Sequence, residues 1–238
     1  MKISPTLTEV KEIAKTGKYD ILPVSCEILS DFITPIEAMR ILQNVSTHCY
    51  LLESAQANEA WGRYTFLGYD PKLEINCIDG HMKLGKLSVE TENPSEYIRQ
   101  ILSEYKSPKF DYLPSFTGGL VGYFSYDYLG YKEKCIRGKA RDTEDFKDVD
   151  LMLFDKVIAF DNLCQKIILI ANMSLDAPET GYNKAIVELK QLRELLMHGE
   201  KKQNMGGKLL GEVTPLFDKE QYRETVSYTH LRAHETVL

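Results

Sequence analysis

The fold of this chain is decided by the stretch LMLFDKVIAFDNLCQKIILIA, residues 151–171, in which two apolar segments flank a polar turn. The segments Leu151–Phe160 and Lys166–Ala171 are rich in β-branched and aromatic residues, which is typical of strands. Between them, Asp161 and Asn162 favour a reversal of the chain. The stretch therefore predicts an antiparallel hairpin.

A second hairpin is predicted where Asp79-Gly80 separates two further apolar segments, because this dipeptide favours a tight two-residue turn. Its strands are expected at Leu73–Ile78 and His81–Leu84. Other strands are expected at Ile21–Leu29, Cys49–Leu52 and Tyr64–Tyr69.

Helices are expected between the strands, at Thr6–Ala14, from Thr34 to about Asn44, after Asn93, and at Tyr182–His198 with Gly199 as the stop. Thr34 and Asn93 are each followed by proline and then, three positions on, by glutamate, which predicts a capping box at both starts. Strands and helices do not alternate as regular βαβ units. The sequence therefore predicts an α+β fold of mostly antiparallel sheets, with helices packed on one face.

The chain is expected to contain one domain over residues 1–199, because residues 200–214 are polar and glycine-bearing, like a linker. A new element begins at residue 215 and continues to 228, with Asp218 as its helix cap.

Composition excludes several classes of protein. A net charge of −6 provides no basic face for nucleic acid. No apolar run approaches the roughly 20 residues that span a bilayer, and the charged amino terminus is unlike a secretory signal. The five scattered cysteines form no CxxC pair, which favours reduced thiols in a cytoplasmic protein.

No catalytic or metal-binding constellation is predicted. His230 and His234 lie four positions apart but lack the glutamate of an HExxH motif. Asp148 and Asp150 are expected to flank a solvated turn. The glycines of residues 118–122 lead into an aromatic strand, so they predict a close backbone approach or a bulge and not a phosphate loop. The nearby tyrosines are expected in the core or between domains: Tyr123, Tyr126, Tyr128 and Tyr131.

Four stretches, in this order and spacing, closely resemble the amino-terminal domain of anthranilate synthase component I. They are the PV…D…TP pattern of residues 23–35, LLES at 51–54 followed by GRYTFLG at 62–68, LPSFTGGLVGYFSYD at 113–127, and LFDKVIAFD at 153–161. The resemblance covers about residues 1–228. Residues 229–238 do not resemble the family's continuation, and we expect them to be foreign to it.

The resemblance implies a function for the full-length family enzyme. That enzyme converts chorismate to anthranilate and pyruvate, with ammonia from a glutamine amidotransferase subunit. Its catalytic residues and Mg²⁺ ligands belong to the carboxy-terminal half, of which residues 215–228 are the start. No catalytic residue and no Mg²⁺ site are therefore expected here. The resemblance also implies that Leu52, Glu53 and Ser54 bind L-tryptophan as feedback inhibitor.

The chemistry of these residues suits that role. A carboxylate at the end of a strand can pair with an α-ammonium group, the hydroxyl adds a polar contact, and the leucines of LLES can pack beside an indole ring. The alternative is that Glu53 closes the strand and faces water. Arg63 has two interpretations as well: it pairs with the carboxylate of a ligand, or it forms a structural ion pair within the fold.

Two other functions stay open from the sequence. The sibling family, para-aminobenzoate synthase component I of folate biosynthesis, shares these stretches in part. The second alternative is that the chain is a free-standing amino-acid-binding module with no enzyme attached.

Overall fold

A computed structural model describes residues 2–54, 62–133, 135, 146–202 and 206–235, with the backbone alone described for 232–235. The chain divides into two compact units, residues 1–202 and 203–238.

Within the described residues the chain forms eleven strands and five α-helices. The strands are β1 Ile3–Ser4, β2 Ile21–Leu29, β3 Cys49–Leu52, β4 Tyr64–Tyr69, β5 Leu73–Ile78, β6 His81–Leu84, β7 Leu87–Glu90, β8 Gly119–Phe124, β9 Val149–Phe154, β10 Lys156–Asp161 and β11 Lys166–Ser174. The helices are α1 Leu7–Lys15, α2 Pro35–Val45, α3 Pro94–Ser103, α4 Pro178–His198 and α5 Lys219–Glu235, with a 3-10 helix at Tyr126–Tyr131.

The first unit contains two antiparallel sheets. The six-stranded sheet has the order β1-β2-β11-β10-β4-β3, and the five-stranded sheet has the order β7-β6-β5-β9-β8. Every strand pair is antiparallel. The predicted α+β fold is therefore confirmed, as are the two predicted turns.

The predicted strand Leu151–Phe160 is wrong as a single element. The chain bends at Asp155, so that β9 belongs to the five-stranded sheet and β10 to the six-stranded one. The Asp155 carbonyl accepts hydrogen bonds from the backbone N–H and the side-chain Nδ2 of Asn172, at 2.8 and 3.0 Å. These two bonds fix the bend, and their donor lies 17 positions further along the chain, where the local sequence pattern around Asp155 does not reveal it.

Both faces of the six-stranded sheet are covered. Ile167 and Leu169 pack with helices α1, α2 and α4 in the larger core. Ile168 and Ile170 point to the opposite face. There they are covered by Leu113 and by neighbouring aromatic residues of the loop between α3 and β8. Burial on both sides explains why β11 shows an unbroken apolar run and no alternation.

The helix starts follow the predicted chemistry at one of two sites. At Thr34 the capping box is complete, since the hydroxyl accepts from Glu37 N and the Glu37 carboxylate accepts from Thr34 N. At Asn93 the prediction is wrong: its amide donates to the Glu96 carboxylate and accepts from the Ser95 hydroxyl, so it makes no side-chain bond to the helix backbone.

Glu37 is expected to titrate far below an ordinary glutamate. A hydrogen bond from Lys201, followed by those with Thr34, lowers the pKa of Glu37 to about 2. Since the folded pKa lies below the unfolded value of about 4.3, the stabilisation is present above pH ~4 and is lost as the pH falls toward 2. Carbon-detected NMR titration of the Glu37 carboxyl measures this directly. Lys201→Gln should raise the midpoint, and an unchanged midpoint would contradict the assigned cause.

The turn between β5 and β6 has positive φ at both central residues, 49° at Asp79 and 85° at Gly80. The backbone N–H groups of this turn donate hydrogen bonds to side chains from other parts of the chain. Asp79 N donates to the Asp148 carboxylate and Gly80 N to the Tyr131 hydroxyl, at 2.8 and 2.7 Å. The turn is thereby tied to the start of β9 and to the 3-10 helix.

The second unit contains α5. Asp218 caps it as predicted, with Oδ1 accepting from the backbone N–H groups of Glu220 and Gln221 at 2.8 Å. His230 lies within α5, whereas the side chain of His234 lies outside the described residues. Among the described helices, none is both long enough and apolar enough to cross a membrane.

Candidate functional site

The residues predicted to bind tryptophan lie at one border of the six-stranded sheet. Strand β3 is the outermost strand and pairs with β4, where Leu52 lies opposite Phe66. Leu52 is 46% exposed at the end of the strand, and Glu53 and Ser54 follow it in exposed positions. The structure therefore brings a carboxylate, a hydroxyl and an apolar side chain together at a sheet border.

The side chains of Glu53 and Ser54 make no hydrogen bond or ion pair with any described residue. Glu53 therefore has no structural ion-pair partner in that part of the chain.

Aromatic residues line the sheet face beside this border, a feature that was not predicted from the sequence. Tyr50, two positions before Leu52, is buried and meets the Phe154 and Phe116 rings edge-on at 4.7 and 6.4 Å. Phe116 in turn meets Phe66 at 5.7 Å. The signal that could have found them is the period-2 alternation, which places Tyr50 and Leu52 on one face.

The same alternation corrects one expectation. Leu51 was expected to pack beside an indole ring together with Leu52. It packs instead against the core that faces the helices, on the other side of the sheet. Only Leu52 of the two leucines remains available at the border.

Gly68 leaves space for the ring of Tyr50. It lies opposite Tyr50 in the β3–β4 pair, and a Cβ atom at Gly68 would fall 2.1 Å from Tyr50 Cε1. Burial raises the pKa of the Tyr50 hydroxyl, which has no hydrogen-bond partner among the described residues. Tyr50 is thus neutral and acts here through its ring.

Arg63 proves to be a structural ion-pair partner. Its Nε and Nη2 donate to the two carboxylate oxygens of Asp161 at 3.1 and 2.7 Å, a bidentate pair. Asp161 is fully buried and also accepts from the backbone N–H groups of Leu163 and Cys164. The pair therefore joins the start of β4 to the β10–β11 turn.

Asp148 was expected at a solvated turn, and this is wrong. The residue is buried, and its carboxylate accepts from Asp79 N and from the Tyr131 hydroxyl. Because β9 begins at the next residue and pairs on both sides, the chain here is interior. Asp150 accepts from Lys147 at 2.9 Å. The two carboxylates have separate structural partners.

The glycine run is a place of close backbone approach, as predicted. Gly122 has φ of +153°, and a Cβ atom there would lie 1.9 Å from the Asp150 carbonyl oxygen. At Gly118 a Cβ would lie 2.5 Å from Asn172 Nδ2. Of the tyrosines that follow, Tyr128 and Tyr131 pack against the smaller core. Tyr123 is 37% exposed and Tyr126 is 86% exposed, so a core position is wrong for these two, and a position between domains stays a prediction for them.

Comparison with known proteins identifies the family. Residues 47–235 match the family described as chorismate binding enzyme. The chain belongs to this family. It is 34% identical over 198 residues to anthranilate synthase component 1 of Acetivibrio thermocellus, covering 81% of this chain and 39% of that protein. It is 36% identical over 196 residues to anthranilate synthase component 1 of Pseudomonas aeruginosa, covering 79% and 39%.

The resemblance that the sequence predicted, to anthranilate synthase component I, is thereby confirmed. The chain spans about two fifths of the length of these curated relatives. A crystal structure of anthranilate synthase component I from Streptococcus pneumoniae TIGR4 matches 70% of this chain and 36% of that one, with 25% identity and a TM-score of 0.46.

The family resemblance implies Mg²⁺ in the full-length enzyme. In the part of the chain that the structure describes, no group of three or more His, Cys, Asp or Glu side chains is arranged to hold a metal. Asp148 and Asp150, the paired carboxylates of the sequence, have the partners given above. No chemical step is assigned to a metal here.

Proposed function

We propose that this chain is the tryptophan-binding and scaffold part of a cytoplasmic anthranilate synthase component I. The reaction of the whole enzyme would be the conversion of chorismate and ammonia to anthranilate and pyruvate, with a glutamine amidotransferase subunit as ammonia source. The names of the curated relatives support this branch and not the para-aminobenzoate branch.

One observation carries the binding role. At the end of β3 the Glu53 carboxylate and the Ser54 hydroxyl are exposed and make no hydrogen bond to any residue that the structure describes, directly after the exposed Leu52. Glu53 would accept from the α-ammonium group of L-tryptophan and Ser54 would contact its polar end. Leu52 would pack against the indole ring.

Tryptophan binding to the full chain is expected to be weak, with Kd in the millimolar range. Charge-assisted hydrogen bonds contribute about 1.5–3 kcal/mol each when shielded, and an open sheet border shields them little. Isothermal titration calorimetry measures this binding. Glu53→Gln should weaken it at least about tenfold, since that ratio corresponds to ~1.4 kcal/mol.

Two controls sharpen the experiment. Glu90→Gln removes an exposed carboxylate from the other sheet and should leave binding unchanged. Indole-3-propionate, which lacks the ammonium group, should not compete with tryptophan. Equal effects of the two substitutions, or competition by indole-3-propionate, would show that Glu53 does not hold the ammonium group.

The chain alone is expected to form no anthranilate. The catalytic residues implied by the resemblance belong to the portion of the relatives that this chain does not span. Fluorescence detection of anthranilate from chorismate and ammonium, with and without Mg²⁺, tests the point, and sustained turnover would overturn it. In a longer protein that carries the remaining portion, Ser54→Ala should relieve tryptophan inhibition and leave uninhibited turnover nearly unchanged.

A further inference from the structure

An open pocket lies between helix α1 and the loop that connects α3 to β8. Its volume is about 310 Å³. We name it the α1 pocket. Its walls combine aromatic, aliphatic and acidic side chains, from Pro5, Glu9, Glu12, Ile13, Phe110 and Tyr112. Pro5 directly follows β1, the outermost strand at the border of the six-stranded sheet opposite to β3. The pocket is therefore separate from the candidate tryptophan site.

Two stacked aromatic rings form one wall of the α1 pocket. The ring centroids of Phe110 and Tyr112 lie 5.1 Å apart, and the ring planes differ by 25°. Phe110 also packs against the buried residues on both faces of the six-stranded sheet, which holds the pair in place. Tyr112 is 45% exposed, so part of its ring stays accessible. Accessible aromatic faces attract cations.

Two carboxylates of α1 line the same pocket. Glu9 and Glu12 lie three positions apart, which places them side by side on the helix surface. Oε2 of Glu9 accepts from the backbone N–H and the hydroxyl of Thr6 at 2.7 and 2.8 Å. These bonds orient the carboxylate and leave Oε1 as its second acceptor. The side chain of Glu12 makes no hydrogen bond or ion pair with any residue that the structure describes.

The charges of the α1 pocket favour a cation. Its lining, within the described ranges, contains these two carboxylates and no lysine, arginine or histidine. Burial, followed by the charge of Glu9, raises the pKa of Tyr112 to about 12. The field of the Glu9 carboxylate therefore reaches the aromatic wall. An anion is repelled here, whereas a cation is attracted by the carboxylates and by the ring.

The walls distinguish an organic cation from a metal ion. A strongly hydrated inorganic ion gains nothing from the aromatic wall or from Ile13. A guanidinium group is planar and weakly hydrated, stacks on aromatic faces and pairs with carboxylates. The carbonyls at the pocket floor already have donors: the Tyr182 hydroxyl donates to Pro5 O at 2.9 Å, and the Ser25 hydroxyl to Ser4 O at 3.3 Å. The donors of a ligand are therefore directed to the carboxylates.

We propose that the α1 pocket binds a small organic cation with a guanidinium group on a short aliphatic stem. The guanidinium lies against Tyr112 and donates to Oε1 of Glu9 and to the Glu12 carboxylate. The stem packs against Pro5 and Ile13. This inference does not depend on the proposed tryptophan site, because the two sites lie at opposite borders of the sheet.

The test uses the full chain and butylguanidinium as the probe. In methyl-detected NMR, the Ile13 signal should shift along a saturable curve. The signal of Ile36, which is 55% exposed on α2 and does not line the pocket, should stay unchanged. Butylurea has nearly the same shape but no charge, and should bind at least about fivefold more weakly. Equal binding of butylurea, or a shift that does not saturate, would overturn the proposal.

Paired variants test each wall, with circular dichroism to verify the fold. Glu12→Gln should weaken binding by about two- to fivefold, since the carboxylate is exposed. Glu194→Gln, the same change at an exposed position of α4, should not. Tyr112→Leu should weaken binding by a similar factor of about two to five, and Tyr112→Phe should keep it because the ring remains. Unchanged binding in Glu12→Gln or in Tyr112→Leu, or an equal loss in Glu194→Gln, would contradict the assigned contacts.

Discussion

Replacement of Asp161 by alanine is expected to lower the free energy of unfolding by about 3 kcal/mol. The substitution leaves the Arg63 guanidinium without its bidentate partner. It also leaves the backbone N–H groups of Leu163 and Cys164 without their acceptor. Removing one member of a buried ion pair costs about 3–5 kcal/mol, and the lower figure applies because Arg63 is 35% exposed. Urea unfolding followed by circular dichroism at neutral pH measures the change.

The matched control is Asp70→Ala. Asp70 also pairs with a cation on the six-stranded sheet, Lys156, but its side chain is 65% exposed. Exposed pairs contribute at most about 1 kcal/mol, so the two variants should differ clearly. Similar losses would show that burial of Asp161 does not determine the strength of its pair.

The effect of Asp161→Ala should depend on pH with a definite sign. Burial raises the pKa of Asp161, but the hydrogen bonds from Arg63 and Cys164 outweigh it, so the folded pKa lies below its usual value. The carboxylate therefore stabilises the fold above the unfolded pKa of about 3.9, and this contribution is lost as the pH falls through the folded pKa. The difference between the two proteins should shrink steadily below about pH 4. A constant difference across the acid range would contradict this assignment.

Gly122→Ala is the second substitution expected to be strongly destabilising, by about 2–5 kcal/mol. The backbone at Gly122 has φ of +153°, which L-residues rarely adopt, and the new Cβ would lie 1.9 Å from the Asp150 carbonyl oxygen and 2.8 Å from Leu151 Cα. Strands β8 and β9 would have to separate. Denaturant unfolding measures the loss.

Gly119→Ala separates conformational strain from steric overlap. Gly119 lies on the same strand with φ of +140°, but a Cβ there meets only Phe116 Cε2, at 3.7 Å. It should cost only the strain, about 1–2 kcal/mol. If Gly119→Ala were as damaging as Gly122→Ala, the approach of β9 would not be the reason that Gly122 is needed.

The sequence predicted those elements whose signals are local. The Thr34–Glu37 capping box and the Asp79-Gly80 turn depend on residues within four positions of one another, and both form as expected. For Arg63 the sequence left two roles open, because its partner Asp161 is 98 positions away.

Apart from the local capping box at Asn93, three of the errors have a cause of the opposite kind. The bend at Asp155 is fixed by Asn172, 17 positions on, in a segment that looks like a continuous strand. Asp148 is interior because strands on both sides of β9 enclose it, and Leu51 turns from the candidate site because pairing with β4 sets its face. At the candidate site, the family resemblance predicted a role for the Glu53 carboxylate and the Ser54 hydroxyl, whereas the aromatic face beside them becomes visible only from the pairing of the strands.

The strand order has a consequence for synthesis on the ribosome. Strand β2 is made early but pairs along its whole length with β11, and the Glu27–Lys166 ion pair across them joins residues 139 positions apart. At translation rates of about 5–20 residues per second, β2 waits about 7–28 s for its partner to emerge. During that interval β2 has only the two-residue strand β1 to pair with, and the core around its apolar residues Leu22, Val24 and Cys26 is incomplete.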